Sequence, residues 1–564
     1  MNSRVRSTTA ITAGARIALP LAPVPLLILV AIWLLPGLVG HDPWKSDDAI
    51  GIGIAHQFAR HGGWLLPRLA GEYYADDGPL FYWIAAAFTK LFAWLLAPHD
   101  AARLAGGACI ALALAFLRLA GCTFYDNDIR RDDSRASDRR ARGNNVMLLF
   151  IGCTGLLLHA HETISETALL AGLACTYYGA ALAEKRPGAA GIAIGCGLGA
   201  GFLATGLGSV LPLVVALLAT PLLVPDWRRR NIGLALVCAL AVLLPWLALW
   251  PALLYVRSPE LFTVWLYQAN LTALAQTPSL VSAGDGLRTL AWFAWPAWPI
   301  ALFALWLYRR KPSAASTILP LIALIAGLAL ASQQHMPREL PLLPLLLPLA
   351  LLGAPVISDL RRGAANALAW FGTMTFSLLG GLIWLGYCAL QTGFPPRIAA
   401  NATRLEPGFA SHFTALPLVL AVVVTFAWIA LISKSARSPL RSVTFWAAGL
   451  ALFWSLTMLL WLPWIDYGKS YRQLAQALEA HLPKHRGCIA SVDLGEAQRA
   501  AFDYHAHIVT ERSETHARQD CRLLLVQDNS PQHETAPGKH WKKLWEGNRP
   551  GDRSEKFRLY LRTD

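Results

Sequence analysis

Apolar runs of about 20 residues, separated by short polar loops, recur from residue 17 to residue 463. About 20 helical residues cross the hydrocarbon core of a bilayer, and there only helices or closed barrels satisfy their own backbone hydrogen bonds. The pattern predicts spans near 17–39, 101–121, 146–160, 166–183, 188–204, 208–225, 231–256, 289–308, 315–331, 339–356, 366–389, 413–433 and 443–463, about thirteen in all. The first run is too long for a signal peptide and lacks a small-residue cleavage site, so it is read as a span. Beyond 465 the pattern changes. Short β-rich runs at 488–492, 522–526 and 557–561 alternate with a helical stretch at 471–481, which predicts a small α/β or α+β domain.

Two more stretches, 48–60 and 79–97, fall in the loop 40–100, and charge decides how they are read. Counting 79–97 as a span would put 126–142, which holds six arginines, on the outer face. Arginine-rich short loops are cytoplasmic, so both stretches are expected to lie along the outer interface. In 48–60, Ile50, Ile54 and Phe58 make an apolar stripe, with His56, Gln57 and Arg60 expected to face water. The N-terminus and the basic loops at 185–186, 228–230, 309–311, 361–362 and 434–441 then fall inside, and 465–564 outside. The expected organisation is a polytopic α-helical membrane domain, 1–464, followed by a soluble periplasmic domain, 465–564.

Composition agrees. Hydrophobic residues are 55% and charged residues 15%, against roughly 25% charged in soluble chains. The 22 tryptophans suit the two interfacial belts of a multispanning protein. The net charge of +14 resides in the basic loops, so no nucleic-acid partner is expected. Of nine cysteines, only Cys488 and Cys521 lie in the polar C-terminal region, where an oxidising compartment would permit a disulfide.

The candidate chemistry lies in 42–83, where Asp42, Asp47, Asp48, Asp76 and Asp77 sit among aromatics close to a membrane. Acids in such a place cost free energy unless they are solvated or used. Ser46-Asp47-Asp48 reads as a helix start, with acids favoured by the helix dipole. That accounts for one acid and leaves the pair unexplained.

After this pair come Gly62 to Leu69 in the pattern G-x-W-L-x-P-R-L, then Tyr73-Tyr74 and Pro79 to Trp83 in the pattern P-L-x-Y-W. This order resembles the GT-C membrane glycosyltransferases, and within them the 4-amino-4-deoxy-L-arabinose transferases, relatives of the protein O-mannosyltransferases. The resemblance implies interfacial helices in the first outer loop and transfer of a sugar from a lipid-linked donor of the undecaprenyl phosphate type to a lipid or glycan acceptor. It places Asp47 at the reaction centre as catalytic acid/base, with Asp48 supporting it or helping to hold a divalent cation, Mg or Mn. Glu166 falls where the family's second acid lies; its bland reading is a helix start after Ser165. Arg68, His335 and Arg338 become candidates for the donor phosphate, since a guanidinium fork suits phosphate oxygens, and Tyr73, Tyr74 and Tyr82 for the substrate pocket. His159, His161 and Glu162 lack a specific metal-ligand spacing and are read as a solvated loop.

The chain departs from the family pattern at four places. Asp77, Thr205 and Ala273 stand where the family has cations, and Gly53 stands where it has an acid. Two other classes remain beside the enzyme: a lipid or polysaccharide transporter, and a non-catalytic relative. Transporters bury ionisable groups near the midplane. Here the acids cluster in loops, which favours the enzyme.

Overall fold

The structure, a computed structural model, describes residues 17–128, 136–275, 277, 279–309, 314–333, 339–483, 487–513, 521–528, 538, 540–552 and 554–563. Each predicted span contains helix, and the protein is a multi-pass membrane protein. Among the described residues seven helices are long and apolar enough to cross a membrane. They become eight when Val281–Phe293 and Ala297–Tyr308, bent by 102°, count as one broken span. The other predicted spans are shorter or more polar. Helices Pro23–Leu34, Leu207–Leu223 and Ala315–Ala331 are apolar but brief. Ala136–Ile151 opens on the polar run ASDRRARG and ends well before residue 160.

Small residues let the central helices approach closely, the usual device where lipid offers no hydrophobic drive between helices. A Cβ on Gly172 of Ser165–Leu182 would lie 2.5 Å from the Gly197 carbonyl oxygen of Pro187–Thr205, and one on Gly197 would lie 2.4 Å from that of Gly172. Gly191, Gly195 and Gly199, one turn apart, face Arg230–Arg257 in the same way.

The first loop holds two short helices, Asp47–His61 and Leu80–Leu91. The C-terminal unit carries a five-stranded mixed sheet in the order Glu511–Arg512, Ile489–Val492, Leu523–Asp528, Lys556–Arg562, Trp541–Gly547. Its first three strands are parallel and its last two antiparallel. Cys488 and Cys521 are joined in a disulfide, with Cα atoms 5.1 Å apart.

This unit sits directly on the first loop. Helix Glu496–Ala506 packs along Asp47–His61. Gln57 donates to Asp503 at 2.6 Å, and His56 makes an edge contact with Tyr504. His56 and Gln57 therefore face protein rather than water, because the C-terminal unit covers the polar side of their helix. The same contact explains the missing acid at Gly53: a Cβ there would lie 3.1 Å from both the Ala500 methyl and the Leu69 side chain. The Asp42 carboxylate is paired with Arg472, and Arg499 pairs with Glu72 at 2.8 Å.

Candidate active site

Asp47 begins the helix Asp47–His61 and points into a cavity of about 570 Å³. Ser46 does not cap this helix; its hydroxyl bonds to the Asp47 carboxylate at 3.1 Å. Asp76, Asp77 and Glu166 line the same cavity beside Tyr74, Tyr82 and Thr205. Its depth is apolar, walled by Leu169, Leu173, Pro212, Leu213, Ala323 and Leu345 from the membrane helices. Acids at one end and hydrocarbon at the other, within the usual size range of ligand sites, make the chamber amphipathic.

Asp77 reaches the wall because of its neighbour. The Gly78 amide donates to the Ala204 carbonyl at 3.0 Å, and a Cβ on Gly78 would lie 2.0 Å from the Leu203 carbonyl oxygen. Only glycine lets this turn dock on the end of Pro187–Thr205, which brings Asp77 and Thr205 to one chamber. The Tyr82 hydroxyl donates to Asp77 at 2.7 Å and that of Ser165 at 3.0 Å. Burial, reinforced by the charges of Asp76 and Asp47, pushes Asp77 up to about 6, against the pull of those two hydroxyls.

Asp48 does not join Asp47. Adjacent residues on a helix point about 100° apart, and Asp48 turns inward, 2% exposed. There Arg103 donates to it at 3.0 Å, and the Thr163 and Trp44 amides at 2.9 and 3.2 Å. Burial alone would raise this carboxyl, but Arg103 and His41 hold it below its usual value. Asp48 thus has its oxygens engaged by Arg103, Thr163 and Trp44 rather than turned toward Asp47. Its work is to fix Thr163, and with it the loop leading to Ser165 and Glu166.

Other expectations are corrected. Arg68 lies outside the acid-lined cavity: it donates to the Tyr73 hydroxyl at 2.7 Å and sits 4.3 Å over that ring. Tyr73 is 47% exposed and does not line the chamber either. Arg68 and Tyr73 face away because they belong to the two-stranded hairpin Arg68–Leu69 and Glu72–Tyr73. The loop carrying His159 and His161 is buried rather than solvated. His161 bonds the Leu157 and Trp33 carbonyls, and His159 bonds Glu162 and Glu339. His335 and Arg338 lie outside the described residues. The only tight cluster of three or more possible metal ligands among the described residues is Cys488, Glu511 and Cys521, whose cysteines are disulfide-bonded.

Sequence reasoning missed Arg103, which is fully buried. The signal was an arginine two residues into a predicted span, where a charge calls for a partner.

No known protein-family profile matches the chain. It is 25% identical over 461 residues to the undecaprenyl phosphate-α-4-amino-4-deoxy-L-arabinose arabinosyl transferase of Pseudomonas savastanoi pv. phaseolicola, covering 77% of this chain and 76% of the relative. Its fold is similar to that of ArnT from Cupriavidus metallidurans. The undecaprenyl phosphate-bound form superposes with a TM-score of 0.64 at 16% identity over 95% of this chain and 97% of that one. The apo form gives 0.66 at 17% identity over 96% and 98%. The chain thus resembles the GT-C membrane glycosyltransferases in sequence and in fold.

Proposed function

We propose that this chain is an inner-membrane glycosyltransferase that moves a sugar from a polyprenyl-phosphate donor to a lipid A-like or other envelope acceptor. The observation that carries this reading is the amphipathic chamber. A polyprenyl chain suits its hydrocarbon depth, and Asp47 stands at the polar end where an acceptor hydroxyl would meet the sugar. Asp47 acts as general base toward that hydroxyl, or as the charge that offsets the developing positive anomeric carbon. Glu166 lines the same chamber, next to Ser165 and Asp77. His335 and Arg338 adjoin the lining residue Leu340 in sequence and are the candidates for the donor phosphate. Four acids and no Lys, Arg or His among the described lining residues suit a sugar that carries an ammonium group, as the donor named for the Pseudomonas relative does.

In this reading the N-terminus is cytoplasmic, and residues 465–564 form a periplasmic domain that covers the first loop. The test is sugar transfer by Asp47→Asn, read by mass spectrometry of lipid A and other envelope glycans from cells carrying the variant. Loss of a positioned acid–base group lowers transfer by about 10²–10⁴-fold, with the protein still folded in the membrane. Full transfer by Asp47→Asn would remove Asp47 from the chemistry.

A further inference from the structure

We propose that a second cleft binds the phosphate of an anionic lipid headgroup. It lies between the C-terminal end of helix Asp47–His61, the turn at 62–71 and the end of helix Glu496–Ala506, and encloses about 750 Å³. It shares no lining residue with the acid-lined chamber. Fourteen helical steps separate His61 from Asp47, about 20 Å at 1.5 Å per residue, so the cleft is remote from the proposed chemistry. The inference does not depend on sugar transfer.

The cleft concentrates basic side chains against a single acid among its described lining residues. Arg60, His61 and Arg68 line it, with His56 and His507. Its one acid among the described lining residues, Asp503, takes the Gln57 amide at 2.6 Å. Neither arginine pairs with a carboxylate among the described residues. Arg60 lies 3.2 Å from the His507 ring, and Arg68 is held by the Tyr73 hydroxyl. Each guanidinium keeps N–H groups free, the donor geometry that takes phosphate oxygens two at a time. Gly62 and Gly63, at φ +71° and +67°, would have no atom within 4 Å of an added Cβ. The turn therefore leaves open space beside the cations.

The source of the phosphate is read from the rim. Trp64, 38% exposed, stacks on Phe58 with ring centres 5.8 Å apart, and the Lys90 ammonium lies 4.9 Å from its ring. Lys90 joins this rim to the exposed Leu91, Trp94 and Leu95 at the end of Leu80–Leu91. Exposed tryptophan and leucine beside lysine and arginine mark a surface that sits at the headgroup level of a bilayer. Cations there are drawn to anionic lipid. A site for a free anion would not need the apolar rim.

The experiment uses the full-length protein in a neutral detergent and native mass spectrometry with three probes: dihexanoyl phosphatidylglycerol, uncharged dihexanoylglycerol and inorganic phosphate. Phosphatidylglycerol should bind at least tenfold more tightly than the other two, and Arg60→Gln/Arg68→Gln should lose at least tenfold, the equivalent of one charge-assisted hydrogen bond or more. Both arginines are exposed, so the melting temperature should not change. If the double variant does not fold, Arg60→Gln and Arg68→Gln are read singly, each with a smaller loss. Unchanged affinity in the variants, or equal affinity for the uncharged lipid, would overturn the site. Inorganic phosphate binding as tightly as the lipid would overturn the lipid as its source. Because no transfer is measured, either failure leaves the role of Asp47 untouched.

Discussion

Arg103→Met should destabilise the protein without touching the proposed reaction centre. The guanidinium has no solvent exposure and makes hydrogen bonds to four places: the Asp48 carboxylate, Asp100 at 3.2 Å, and the His41 and Asp42 carbonyls at 2.8 and 2.7 Å. Methionine fills similar space but leaves Asp48 charged and buried, an arrangement that costs about 3–5 kcal/mol. Unfolding entropy of about 2.1 cal/mol/K per residue over 564 residues is roughly 1.2 kcal/mol/K. If the chain melts as one unit, that cost lowers the melting temperature by roughly 3–4 °C. Intrinsic-fluorescence melting of the detergent-solubilised protein reads it directly. Asp48→Asn/Arg103→Met should recover part of the loss, since position 48 then no longer holds an unpaired buried charge and residues in contact are not additive. Transfer activity should fall with stability, because Asp48 holds Thr163 and Thr163 borders the chamber. Asp47→Asn should separate the two readouts, with transfer lost and melting unchanged. An Arg103→Met protein that melts within about 1 °C of wild type, or a double variant no better than the single, would refute the account of this pair.

Asp77 gives a pH signature. Its folded value, raised to about 6 by burial, exceeds the ordinary 3.8. The extra proton affinity of the folded state stabilises it fully below the ordinary value, and that contribution is lost as pH rises through 6. Melting temperature should therefore fall from pH 4 to pH 7 more steeply in wild type than in Asp77→Asn, and parallel curves would show that Asp77 is not desolvated. The disulfide closes a sequence separation of 33 residues, for which loop entropy gives about 3–4 kcal/mol. Cys488→Ser/Cys521→Ser should melt lower by a corresponding margin. In protein taken from cells, maleimide should reach the peptides of Cys488 and Cys521 only after reduction, and labelling without reductant would contradict a periplasmic C-terminal unit.

What could be read in advance divides along a physical line. Hydropathy is a local property, so each apolar run was visible as a helix. Length was not, because the polar start of Ala136–Ile151 and the break before Ala297 depend on neighbours that the run does not contain. Asp47 and Glu166 stood out by their place in a motif, and both line the chamber. Asp48 carried the same signal as Asp47 and has a different task. The difference is a turn of about 100° toward an arginine 55 residues away, which no window of sequence shows. Asp77 teaches the converse. Set against the family it was a lost cation, yet Gly78 docks its turn on Pro187–Thr205 and makes it one of four acids around the chamber. Charge at that wall has changed sign rather than disappeared. A phosphate is therefore disfavoured beside Asp77 and an ammonium favoured, which leaves the expected phosphate contact to cations beyond the described lining, and His335 and Arg338 precede the lining residue Leu340 in sequence.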